Sequence, residues 1–159
     1  MRKGVAIALA LCVIAAVPSV GNADTKKERD YLRLVMDTFC DHVEAIELLT
    51  ANPSKYSDNV VRHADAIANT EGLLDHAFPG DEHMEGSSHW PWRNETEFDR
   101  LVHAMHMATK ELATAAQFWI KDRDRVRFMA TLDKMRESCL ACHEVSPDPE
   151  HSCEIPKSS

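Results

Sequence analysis

The chain has 159 residues and carries 26 acidic against 18 basic side chains, a net charge of −8. That length suits one domain around one core. The acidic balance argues against nucleic acid and anionic membrane as partners, and it fits a basic protein surface.

Arg2 and Lys3 precede an unbroken apolar and small run, Val5 to Val17, and Gly21 and Ala23 stand at −3 and −1 of a cut after Ala23. This is the layout of a secretory signal peptide over residues 1–23, which predicts export to a bacterial periplasm. The run is shorter than the ~20 residues a membrane span needs, which argues against a retained anchor. Cleavage removes two basic residues and no acidic one, so residues 24–159 keep a net charge of −10 over 136 residues. No later segment is apolar enough to span a membrane, so the mature domain is expected to be soluble.

The apolar residues that follow recur at helical spacing. A first helix is predicted over about 27–50, with Leu32, Met36, Phe39, Val43 and Ile46 on one stripe. Pro53 ends it. A second is predicted over about 54–76, with Val60, Ala64, Ile67 and Leu74 inward and Glu71 interrupting the stripe. Turn signals at Pro79, Gly80, Gly86 and Pro91 mark a long irregular connection. Asn94 and Glu97 form a capping-box-like pair at the start of a third helix, whose stripe is Phe98, Leu101, Met105, Ala108, Leu112, Ala115 and Trp119. A fourth is predicted over about 124–145, where Phe128, Leu132, Met135, Cys139 and Cys142 step by four and three. The proline-containing tail from about 146 reads as irregular. Four such helices imply an all-α fold, an antiparallel four-helix bundle.

The two cysteines on the last stripe belong to "CLACH", residues 139–143. C-x-x-C-H is the attachment motif of c-type haem: both thiols form thioethers with the porphyrin, and the adjacent histidine reaches the iron. Cys139 and Cys142 are thus the expected covalent anchors of one haem c, and His143 the proximal iron ligand. A dithiol redox site places its reactive thiol at a helix N-terminus, whereas this pair falls late in a helix. A zinc site needs further Cys or His at matched spacing, and only His151 and Cys153 offer any.

The chain resembles the class II c-type cytochromes, the family of cytochrome c prime and its low-spin relatives. The resemblance rests on "CLACH" near the C-terminus, "YLRLVMDTFCDHV" at 31–43, "AFPGD" at 77–81, and "HWPW" followed by "EFDRL". It implies a haem inside the bundle, packed against the first helix. Tyr31 falls on the family's aromatic position, and Met36 falls five residues later, where low-spin members carry a methionine ligand and gas-binding members a blocking residue. Met36 is therefore the expected distal ligand, with a buried core methionine as the plainer alternative. His42, six residues on, lies on a different face. His63, His76, His83, His89, His103, His106 and His151 are expected to be solvated. The family often has arginine directly after the tyrosine to meet a haem propionate. This chain has Leu32 there with Arg33 following, so propionate partners stay unassigned. Trp90, Trp92 and Phe98 read as packing residues.

Cys40 and Cys153 remain. An exported protein favours a bridge between them, although separate thiols or an intermolecular bridge stay open. The expected function is electron transfer through a His143/Met36 haem with redox partner proteins. The alternatives are a five-coordinate haem protein binding NO or CO, or a haem-free zinc or disulfide helical module. The resemblance also allows a homodimer through the first two helices. No carboxylate pair, nucleophile–base pair or substrate pocket points to an enzyme.

Overall fold

Four helices account for the computed structural model, which describes residues 23–52, 54–74, 90 and 94–145. They are α1 (Ala23–Ala51), α2 (Asn59–Glu71), α3 (Glu95–Asp122) and α4 (Arg125–Val145). No strand occurs among the described residues, and the fold is the expected all-α, antiparallel four-helix bundle. No described helix is long and apolar enough to cross a membrane. The expected signal segment up to residue 22 and the tail from 146 lie outside the described residues.

The predicted stripes form the core. Phe39, Val43 and Ile46 from α1 meet Val60, Ala64 and Ile67 from α2, Leu112, Ala116 and Trp119 from α3, and Phe128, Leu132 and Met135 from α4. Burying such side chains contributes about 1.5–3 kcal/mol each. On α3 the buried alanine is Ala116, while Ala115 is half-buried. The stripe's mean step of about 3.5 residues falls short of 3.6 per turn, and five full turns from Phe98 end at Ala116, one position past Ala115.

Three helix starts differ from expectation, and the first is α1, which begins at Ala23 and not near Lys27. Residues 54–58 form a turn in place of the first turn of α2. The Ser54 backbone N–H donates to Ser57 Oγ at 2.8 Å, and Ser57 N–H donates back to the Ser54 carbonyl at 3.1 Å. Such serine bonds compete with helical ones. At Asn94 no side-chain cap forms. Its Nδ2 donates to the Trp90 carbonyl at 3.0 Å, and Glu97 instead takes two bonds from Arg100, at 2.6 and 2.8 Å. A bidentate charge-assisted pair outcompetes the box. α2 ends at Glu71 and not near 76, although Leu74 stays buried as predicted.

The tight α3–α4 turn uses Arg123 in the left-handed region, φ 53°. Its guanidinium pairs with Asp58 and lies over the Trp119 ring. Asp124 Oδ1 accepts the Arg127 N–H at 3.0 Å and caps α4.

Helices α1 and α2, α2 and α3, and α3 and α4 lie side by side. Lys134–Glu111 at 2.5 Å and Arg127 over Phe118 show α3 and α4 running antiparallel. Arg136–Glu47 and Thr50 Oγ1 to Met129 Sδ at 3.7 Å do the same for α1 and α4. The far ends of α2 and α4 and the beginnings of α1 and α3 therefore share one end of the bundle. That end carries the C-x-x-C-H motif.

Candidate functional site

Cys139 continues the inward stripe of α4 and packs against the core, its Sγ 3.7 Å from Met135 Sδ. Cys142 and His143 are half-buried on the following turn. Both thiols are free. Burial pushes Cys139 up to about 11, helped by the neighbouring Cys142, and burial also raises Cys142. At neutral pH both are protonated thiols. That is the opposite of the lowered value a dithiol exchange site needs.

Among the described residues no three His, Cys, Asp or Glu side chains gather to hold a metal ion. Cys139, Cys142 and His143 spread over neighbouring positions of one helix face. That arrangement suits two bonds to the rim of a flat macrocycle plus one to its centre better than shared bonds to a single point. The donor set therefore fits haem c.

The position of Met36 follows from the α1–α4 seam, which the Arg136–Glu47 ion pair marks. At about 100° per residue, His143, seven residues after Arg136, returns to the same face of α4 within about 20°. Met36, eleven residues before Glu47, returns to the same face of α1 within a similar angle. With a rise of 1.5 Å per residue, His143 lies about 10 Å from the ion pair toward the attachment end and Met36 about 16 Å. The two expected ligands thus face one seam from opposite helices, offset by roughly one turn. Met36 is half-buried and packs against the core, as does Leu32. Backbone approach along this seam is the sparsest of the four neighbouring helix pairs among the described residues.

His42 lies away from the seam. Its Nδ1 is 3.0 Å from Nδ1 of His63 on α2, so one ring donates and the other accepts. His63 was expected to be solvated and is instead half-buried. Desolvation, then the nearby His42, lowers its pKa. Because the folded value lies below the ordinary one near 6.5, the unfolded chain binds that proton more tightly. The stability tied to neutral His63 is complete above that ordinary value and is lost as pH falls through it toward the folded value. The urea midpoint is expected to drop as pH falls below the ordinary histidine value, and His63→Gln to flatten that drop. An unchanged slope in His63→Gln would assign the effect to other groups.

His106 keeps 39% of its side chain exposed, in line with expectation, yet its Nδ1 sits 2.6 Å from Oε2 of Glu71, whose side chain is 3% exposed. The residue that interrupts the α2 stripe is buried because α3 supplies a partner. His103 is exposed as expected, and His76, His83, His89 and His151 lie outside the described residues. Arg33 pairs with Asp37 at 3.9 Å along α1. Trp90 and Phe98 are half-buried, and Trp92 lies outside the described residues. Cys40 is disulfide-bonded, and its expected partner Cys153 lies outside the described residues.

Arg136 was not singled out in the sequence. It is 5% exposed, paired with Glu47 across the seam and with Asp133 at 3.1 Å on its own helix. Desolvation lowers its pKa. Its one sequence signal is the seven-residue spacing to His143.

The family model described as Cytochrome C' matches residues 30–145. Comparison with curated proteins and with solved structures gives no match.

Proposed function

The chain belongs to the cytochrome c′ family and is a c-type haem protein, and from that premise we propose that it is an exported electron carrier whose single haem is ligated by His143 and Met36. The observation that supports the reading is the α1–α4 seam marked by Arg136 and Glu47, whose faces His143 and Met36 share by helical spacing about one turn apart. When bound, haem iron supplies a one-electron ferric–ferrous couple. Cys139 and Cys142 would hold the macrocycle to α4, and His143 would supply an imidazole to the iron. A Met36 thioether as second ligand would raise the potential. The packed residues Val43, Ile46, Leu132 and Met135 close the inner end of the seam to water.

The net charge of −10 after signal cleavage favours a basic redox partner. Exposed Leu34 and Leu48 on α1 give apolar surface for pairing two copies. Export to the periplasm rests on the signal-like first 23 residues, and no enzymatic step belongs to this reading.

Family membership fits a five-coordinate iron that binds NO or CO equally well. Absorption spectroscopy of the exported holoprotein separates the two. Retention of the haem band through acid–acetone extraction is expected, with a low-spin ferric spectrum and a weak near-infrared methionine-to-iron band. A high-spin spectrum with ready CO binding would replace the carrier by the gas-binding reading. Loss of all haem on extraction would refute covalent attachment.

A further inference from the structure

We propose that Arg136 and Glu47 are a positioning pair that sets the width of the seam between the helix bearing His143 and the helix bearing Met36, and through it the occupancy of the iron's sixth position. The inference rests on the haem reading above and adds a residue pair that does not touch the iron.

Three observations carry it. First, α1 and α4 are the neighbouring helices whose backbones approach least among the described residues, whereas the other three pairs pack closely. Two long side chains bridge this wider seam. Second, Arg136 is 5% exposed and faces Glu47 as a charge partner, while its Nε and Nη2 make no hydrogen bond among the described residues. A charge buried this incompletely satisfied is weak evidence of a stabilising role, because apolar replacements of such pairs are often neutral or better. An ion pair does something an apolar contact does not: it fixes separation and register, whereas leucine ridges can settle at several spacings. Third, the pair is aligned with the ligands. Arg136 shares its face of α4 with His143 two turns on, and Glu47 shares its face of α1 with Met36 three turns away. Asp133, at 3.1 Å, holds the guanidinium from below on α4. A pillar of set length at the inner end of the seam dictates how far the outer end opens.

The test compares CO association with the ferrous holoprotein in the wild type, in Arg136→Met combined with Glu47→Leu, in Glu47→Gln, and in Arg136→Lys. The double variant removes both charges together, so neither is stranded. Far-UV circular dichroism checks the fold. The double variant and Glu47→Gln are expected to change the association rate about tenfold or more, equivalent to about 1.4 kcal/mol in the barrier. The change is upward where Met36 is the ligand, and a high-spin ferric fraction appears. Arg136→Lys keeps the ion pair and is expected to stay near the wild-type rate. Wild-type rates in a folded double variant, or in Glu47→Gln should the double variant not fold, overturn the inference. The wild-type ferric spectrum judges Met36 ligation separately, so a five-coordinate wild type refutes the ligand reading while the rate comparison still decides the role of the pair.

Discussion

Cys139→Ser combined with Cys142→Ser is expected to abolish covalent haem attachment while leaving the four helices in place. Each thioether depends on a free thiol, and both thiols are free and protonated on the last two turns of α4. Cys40 is already disulfide-bonded and offers no substitute among the described residues. Each single variant should keep one thioether and retain haem on a denaturing gel. The double variant should show none. His143 remains in that variant, so haem can still bind reversibly and be lost on acid–acetone extraction.

The cost to the fold falls on one residue more than the other. Cys139 packs against Met135 and the core, and a serine hydroxyl there lacks an apolar match. Placing it costs about 1–3 kcal/mol. Serine at Cys142, nearer solvent, costs less. Haem that stayed attached in the double variant would refute the assignment of both anchors. Haem lost already in one single variant would show that one bond is not enough to hold it.

Some of this site is legible because it is local. C-x-x-C-H places three donors within five residues, and the stripe running through Cys139 to Cys142 turns the two thiols inward without any knowledge of the other helices. The helices on which they sit are legible for the same reason, since apolar spacing on α3 and α4 repeats turn after turn. What the sequence hides is polar and long-range. Glu71 looks like a break in a stripe until His106 of α3 is placed 2.6 Å away. His42 and His63 lie on different helices and meet only once α1 and α2 pack. Arg136 reads as an ordinary surface charge beside Met135 until Glu47 is found across the seam. Asn94 and Glu97 show the converse: a local pattern lost to a competing local partner, Arg100. Met36 stands between these cases. Its stripe is visible in the sequence, but its sharing of the α1–α4 seam with His143 emerges only from the pairing of α1 with α4.

Met36→Ala is expected to turn a low-spin ferric protein high-spin, remove the near-infrared methionine-to-iron band, and let the ferrous protein bind CO readily. The reduction potential should fall, because the thioether opposite histidine favours the ferrous state. Alanine also removes packing volume from a half-buried position, so some opening follows whether or not sulfur is bonded to iron. Met36→Leu separates the two effects, since it keeps most of the volume and loses the donor. If Met36 is a ligand, leucine abolishes the band as alanine does, and CO still binds more slowly than in Met36→Ala because the side chain shields the face. If Met36 only shields, the wild-type spectrum is already high-spin and leucine leaves it unchanged. Stability should move little in either variant, by less than the 2–5 kcal/mol typical of a fully buried methionine cut to alanine. A large spectral change with a small stability change is the pattern that bonding to iron produces and core packing alone does not.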